Sequence, residues 1–372
     1  MTAVLPVSGA WREGDPAGER RFLDVPGPLE LELGGVLPGY TLAYETWGTL
    51  SSARDNAVLV LHALSGDSHV VGPAGPGHPT AGWWAGVVGP GLGIDTDRFF
   101  VVCANVIGGC QGSTGPSSAA PDGLAWGSRW PATTIRDQVA AEVPLADALG
   151  IDAWAAVVGG SMGGMRALEW AVSYPSRVAR VVVLAAAAEA SADQVGLCRI
   201  QIDAVRADPH WHGGDYYHRE QGPDAGLGIA RRIAHLSYRT AEEVDVRFGR
   251  SAQDGRDPLR GGLFAVESYL EHAAEGLLAR FDAGSYVALN QAMNSHEIGR
   301  GRGGTAAALA RVTARPTVVG VDTDRLYPLR QQAALAGAFG VSLDVVRSER
   351  GHDGFLVEPD QVNAVLARAL RD

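Results

Sequence analysis

Lysine is missing from this 372-residue chain: all 31 of its basic residues are arginine. Without lysine there can be no Schiff-base chemistry, no P-loop lysine and no lysine general base. Positive charge is scarce in total as well. Against 42 acidic side chains, the 31 arginines leave a formal net charge of −11. No nucleic-acid partner is expected, because phosphate binding needs a basic footprint. Cysteine is nearly absent. Cys103, Cys110 and Cys198 form no C-x-x-C pair, which argues against a zinc or dithiol site, and an odd, unpatterned set suits a reducing compartment. Long apolar runs are lacking: a stretch such as 181–188 is far too short to span a bilayer. Residues 1–14 show no basic segment followed by an apolar one, so no signal peptide is read there. No internal repeat or low-complexity tract is visible. The expectation is a soluble cytoplasmic protein with no membrane association.

What is present is an ordinary globular composition, 46% hydrophobic and 20% charged. Residues 1–20 read as a loose lead-in. Residues 29–33 alternate apolar and acidic side chains, which suits an exposed edge strand, and 40–46 suggests another. Short aliphatic runs without alternation follow at 57–61, 99–104, 155–158, 178–184, 317–321 and 343–346. Such runs predict strands buried on both faces. Helical patterns at 134–149, 162–173, 329–339 and 361–370 separate several of them. The alternation predicts an α/β fold, a mostly parallel sheet with helices on both faces. Between 190 and 304 the rhythm changes to helical stretches (192–207, 226–236, 264–279, 285–293) joined by Gly/Asp/Pro loops. The reading is a catalytic domain of residues 1–189 and 305–372, interrupted by a helical lid over 190–304.

One motif carries chemistry. Gly159-Gly160-Ser161-Met162-Gly163 is G-x-S-x-G, placed after a buried strand and before a helix. A serine on such a turn sits in strained backbone that tolerates only small neighbours, and the helix beneath it favours developing negative charge. The backbone N–H of Met162 then faces the oxyanion of an attacked carbonyl. In this arrangement the order is serine, acid, histidine, each beyond the end of a strand. Asp324 lies in the loop after 317–321, with Asp322 as the weaker alternative; His352, the one histidine beyond residue 296, lies after 343–346. A second oxyanion donor is sought in the loop after 57–61, at the N–H of Leu64. His62 and His69 flank that loop without a metal-binding spacing, so no metal site is expected.

Several stretches resemble the homoserine O-acetyltransferase family within the α/β-hydrolases. Residues 56–69, with His62-Ala63-Leu64-Ser65-Gly66-Asp67-Ser68-His69, are similar to its oxyanion strand and loop. Residues 82–84, 94–100 and 103–116 resemble its next blocks, 159–170 its nucleophile turn, Asp324-Arg325-Leu326-Tyr327-Pro328 its acid loop and Gly351-His352-Asp353-Gly354-Phe355 its histidine loop. Departures are small: Thr323 stands where serine is frequent, Ala85 where an acid is common, and 237–240 reads Ser-Tyr-Arg-Thr. The resemblance implies an α/β-hydrolase fold and a Ser161–His352–Asp324 triad. It also implies transfer of an acetyl group from acetyl-CoA to L-homoserine through an acyl-serine, on the route to methionine. It gives Arg231 and Asp353 substrate-binding roles, with Arg232 the neighbouring alternative. It further implies a homodimer through the lid helices and no permanently bound cofactor. Succinyl transfer to homoserine, serine acetylation and simple ester hydrolysis remain open at this point, as does a non-catalytic scaffold role.

Overall fold

The protein is described here from a computed structural model covering residues 7–371. Among the described residues, eight strands form the main sheet: β1 (Arg21–Val25), β2 (Tyr40–Trp47), β3 (Ala57–Leu61), β4 (Phe100–Ala104), β5 (Ala156–Gly160), β6 (Arg180–Leu184), β7 (Arg315–Val321) and β8 (Leu343–Val346). Their spatial order is β1-β2-β4-β3-β5-β6-β7-β8. The first two strands run antiparallel to their neighbours, and every pair from β4 onward is parallel.

The aliphatic runs form central strands because both faces of the sheet are covered. Successive side chains of a strand point to opposite faces, and β3 divides accordingly: Leu59 and Leu61 join one buried cluster, Val58 and Val60 the other. The first cluster lies under α1 (Ile135–Ala148) and α2 (Met162–Ser173), with Leu145 and Trp170; the second lies against α11 (Pro359–Ala369), with Val362 and Leu366. A buried ion pair ties the two covering helices together. Arg166 on α2 meets Glu142 on α1, whose second oxygen accepts from Trp170 Nε1 at 2.7 Å. α1 is opened by a capping box between Thr134 and Asp137.

Between β6 and β7 the chain leaves the sheet. The excursion contains α3 (Ala192–Arg206), α4 (Asp224–Tyr238), α5 (Ala241–Phe248), α6 (Ala265–Leu278) and α7 (Ala283–Asn294). Its two ends meet at a neck, where Ala190 N–H bonds the His296 carbonyl at 2.9 Å and Ile298 N–H the Ala188 carbonyl at 3.1 Å. A short helix, α8 (Thr305–Leu309), leads back to β7, which α9 (Leu329–Phe339) follows. α10 (Gly354–Val357) lies between the histidine loop and α11.

Three expectations need correction. Residues 29–33 do not form an edge strand of the sheet. Leu29–Glu30 pairs only with Val36–Leu37 in a small hairpin, because Gly34 and Gly35 reverse the chain with φ of 88° and 93°. The second acid of that stretch, Glu32, is taken up by Arg136 and Arg300 at 2.7 and 2.8 Å. The edge strand is β1 instead. The lead-in is also not loose over its described part: Ser8 Oγ donates to Asp282 at 2.7 Å and Trp11 N–H to the Cys110 carbonyl at 2.9 Å. Residues 1–6 lie outside the described part. Finally, the helical stretches expected in the excursion leave out residues 241–248, which form α5; none of its residues is buried, so no buried face marks it in the sequence.

Candidate active site

Parallel strands end on one side of a sheet, so residues just beyond β5, β7 and β8 share a rim. Ser161 follows β5 directly. Its φ of 56° lies in the left-handed region, a strain of roughly 1–3 kcal/mol for a non-glycine residue. The flanking glycines make the turn possible. A Cβ on Gly163 would strike the Leu61 carbonyl, and one on Gly159 would strike the Gly163 backbone. α2 starts at Met162, so that residue's N–H is one of the free donors of a helix N-terminus.

The rim brings three separated residues into line. His352 Nε2 lies 2.8 Å from Ser161 Oγ, and His352 Nδ1 lies 2.6 Å from Asp324 Oδ2. Asp324 is fixed in turn, since its Oδ1 accepts the N–H groups of Leu326 and Tyr327, both at 2.8 Å. Asp322 is not part of this line. It is exposed and accepts from Ser348 N–H at 3.0 Å. All three members of the line are buried. Burial opposes a charged imidazole, yet the Asp324 carboxylate and its hydrogen bond, aided by Asp353, outweigh it and raise the His352 pKa. Aromatic rings enclose the imidazole: Tyr327 stacks at 5.1 Å, Phe355 meets it edge-on at 5.6 Å and Tyr238 lies at 5.9 Å.

Leu64 lies on the loop after β3, and its side chain joins the buried cluster that also holds Met162, Tyr286 and Tyr327. The loop is turned by a Gly66 N–H bond to the Ala63 carbonyl at 2.9 Å and held by Trp83 Nε1 on the Asp67 carbonyl at 2.9 Å. His62 is structural. Its Nδ1–H donates to the Ala63 carbonyl at 2.8 Å, while Nε2 accepts Val106 N–H at 3.1 Å. Burial, reinforced by Arg166, lowers its pKa to about 3. Among the described residues, Glu45, His69 and His78 form one group whose polar atoms could approach a cation. The imidazoles, however, stack face to face at 3.7 Å, and His78 Nε2 already accepts Glu19 N–H at 3.0 Å. His69 Nδ1 is bonded to Glu45 at 2.9 Å. Lone pairs of stacked rings run side by side, so this arrangement suits an interlocked polar cluster better than a ligand set.

Arg231 and Asp353, the two further charges expected from the sequence, act on one another and on Tyr238. Arg231, half-buried on α4, sets its guanidinium 5.9 Å from the centre of the Tyr238 ring, and its buried Nε finds no hydrogen-bond partner among the described residues. Arg232 is one step on, turned by about 100° around the helix. Asp353, next to His352, has its Oδ2 3.4 Å from Arg239 Nε. Burial raises the Asp353 pKa, with Arg239, His352 and Arg231 pulling it back. Tyr238 responds to both charges: burial pushes its phenol up to about 12, opposed by Arg231 and reinforced by Asp353. Sequence reading assigned no role to Tyr238, Tyr327, Phe355 or Arg239, although all four stand in the stretches quoted above. Arg280, whose guanidinium bonds the Ser65 carbonyl at 2.8 Å, had no sequence signal, since it sits in a bare interhelical loop.

Residues 56–359 match the α/β-hydrolase fold family. The homoserine O-acetyltransferase of Thermobifida fusca (strain YX) is 63% identical over 372 residues, covering 99% of this chain and 98% of that protein. The crystal structure of homoserine O-acetyltransferase from Bacillus anthracis aligns with a TM-score of 0.87 at 26% identity, over 95% of this chain and 97% of that one. The crystal structure of esterase E22 aligns with a TM-score of 0.86, also at 26% identity, over 95% of this chain and 100% of that one.

Proposed function

The chain belongs to the homoserine O-acetyltransferase family of the α/β hydrolases, and from that premise we propose how its residues carry out the reaction. The enzyme transfers an acetyl group to the hydroxyl of homoserine, a step toward methionine. In our reading acetyl-CoA is the donor and Ser161 the temporary carrier. His352 Nε2 takes the Ser161 proton as Oγ attacks the thioester carbonyl. The N–H groups of Met162 and Leu64 hold the oxyanion of the tetrahedral intermediate. Its collapse breaks the C–S bond, and His352 returns the proton to the departing thiolate. The γ-hydroxyl of L-homoserine then gives its proton to His352 and attacks the acetyl-serine. Collapse of the second intermediate frees Ser161 Oγ, which recovers its proton from His352. Asp324 keeps the imidazole in the tautomer with Nδ1–H toward itself and stabilises the cation formed in each half-reaction. No resident cofactor is needed, because the serine carries the acyl group.

The observation that carries this reading is the line Ser161–His352–Asp324 at 2.8 and 2.6 Å. Hydrolysis of an ester would use the same line, and an esterase fold aligns equally well. Transfer is favoured by the two charges beside it. A guanidinium with an unpartnered buried nitrogen suits an α-carboxylate, and the Asp353 carboxylate beside His352 suits the α-ammonium. Together they match an amino-acid zwitterion and place its hydroxyl toward the acyl carbon, raising its effective concentration over water. The lid over 190–304 would narrow access to that space. Three buried, unpaired thiols fit a cytoplasmic setting. In our reading the protein is a homodimer joined through the lid; Val246 and Leu259, 89% and 83% exposed, are lid residues that such a contact would cover.

The test is mass spectrometry of the enzyme mixed with acetyl-CoA alone, then with L-homoserine. The reading expects an acetylated Ser161 peptide that disappears, with O-acetylhomoserine formed, when the acceptor arrives. Thiol release at one rate with or without homoserine would make the protein a hydrolase. A succinylated peptide from succinyl-CoA in preference to acetyl would reassign the donor.

A further inference from the structure

The loop that offers Leu64 N–H is anchored from three directions. At its start, Ala63's carbonyl is engaged by His62 and Gly66. At its end, the Asp67 carbonyl accepts from Trp83 at 2.9 Å, and Ser68 N–H donates to Asn105 at 2.7 Å. These anchors all belong to the sheet domain. The middle of the loop, the Ser65 carbonyl, is held by Arg280 Nη1 at 2.8 Å, and Arg280 comes from the corner between α6 and α7. That corner is itself immobilised. The Arg280 carbonyl accepts from Gln111 Nε2 at 2.5 Å, and Gln111 Oε1 accepts from Arg20 at 2.9 Å. Gly9 N–H bonds the Phe281 carbonyl at 3.2 Å. Asp282, wholly buried, accepts from Ser8 at 2.7 Å, Tyr216 at 2.6 Å and Tyr217 at 2.9 Å. Burial lowers the Arg280 pKa, with Asp67 countering it and Arg231 adding to it, so the side chain stands among the charged groups of the site.

We infer that Arg280 is a positioning residue for acyl transfer: from the lid corner it pins the Ser65 carbonyl and thereby sets the Leu64 N–H where the oxyanion forms. The inference rests on Leu64 N–H being an oxyanion donor. Its consequence is that lid seating and oxyanion binding are one event. With the corner lifted, the loop keeps both ends but loses its middle anchor, and a donor displaced by about 1 Å costs on the order of 10²-fold in rate.

The experiment uses the full chain and p-nitrophenyl acetate, which acetylates Ser161 without an acceptor. In Arg280→Met the acylation rate constant is expected to fall about 10²-fold, with the homoserine KM unchanged. Arg280→Lys recovers part of the rate, and added guanidinium ion recovers part in Arg280→Ala. Circular dichroism and Tm give the folded fraction of each variant. An unchanged acylation rate, a rise confined to KM, or a loss that merely follows the unfolded fraction would overturn the proposal. The underlying reading is tested apart from it by placing the α-hydroxy analogue of leucine at position 64, which replaces only that N–H by oxygen. If acylation survives this change, Leu64 is not a donor. If acylation fails there but survives Arg280→Met, the error lies with Arg280 alone.

Discussion

The sheet domain and the helical excursion solve opposite problems. The sheet hides its charges. Arg166 and Glu142 are paired out of water beneath the nucleophile turn, and the central strands are buried on both faces. The excursion leaves apolar residues outside, with Val246 and Leu259 almost free and α5 contributing nothing to a core. A rigid sheet rim suits groups that must keep a hydrogen-bond line to tenths of an ångström. A cap of helices joined by loops, from which Arg231 comes, suits groups that recognise a substrate. In our reading the difference divides the labour: covalent steps at the rim, the acceptor received by Arg231 from the cap and Asp353 from the rim, and Arg280 linking the two.

The sharpest way to break that division is Ser161→Ala, which should lower acetyl transfer on the order of 10⁵–10⁶-fold while leaving the fold intact. Steady-state assay and the missing acetylated peptide check it. Glu142→Leu comes next, and acts on stability. It leaves the Arg166 guanidinium buried without its carboxylate, at a cost of about 3–5 kcal/mol in a denaturant titration. A loss below about 1 kcal/mol would mean that the pair is not held out of water. Arg231→Ala tests the cap. It should raise the homoserine KM about 10–100-fold, corresponding to a lost charged hydrogen bond of roughly 1.5–3 kcal/mol, with Ser161 acylation by p-nitrophenyl acetate unaltered. If acylation falls as well, the division is wrong.

The pH profile sharpens the same contrast. Only neutral His352 can accept the Ser161 proton, and its pKa is raised. The acylation rate should therefore climb with pH along a limb centred above the ordinary histidine value of about 6.5. In Asp324→Asn the limb should move to lower pH, because the raising charge is gone, as the rate itself drops about 10⁴-fold. In Arg231→Ala the limb should stay within the wild-type range. The smallest effect is expected at the outer face of the cap. Val246→Asp with Leu259→Asp should change unfolding free energy by no more than about 0.5 kcal/mol. The pair should nevertheless weaken self-association in sedimentation velocity; unchanged sedimentation would remove those two residues from any dimer contact.

How far the sequence could be read follows the same boundary. Strands β3 and β8 fall on the residues expected from their aliphatic runs, and α2 and α9 on theirs. In these segments burial on two faces, or one apolar stripe, writes itself into the residue pattern. Expected and observed elements differ where local pattern and tertiary use part. Residues 29–33 alternate like a strand but are turned back by two glycines, and α5 has no buried face to betray it. The site shows the same split. A nucleophile turn has its own local grammar, and chain order pointed to Asp324 and His352. The aromatic enclosure of His352 and the reach of Arg280 to Ser65 join residues from distant segments, which no spacing could announce.

The amino-acid sequence alone determined the α/β alternation, the strained turn at Ser161 and the placing of His352 and of two candidate acids, Asp324 and Asp322, after strands, because each of these is read from a short stretch of chain. Tertiary structure decided the rest: that three side chains close a hydrogen-bonded line, that Asp322 stays outside it, and that a cap residue steadies a sheet-domain loop. Those are distances between elements, and they are fixed only once the sheet has been laid down and the cap packed against its rim.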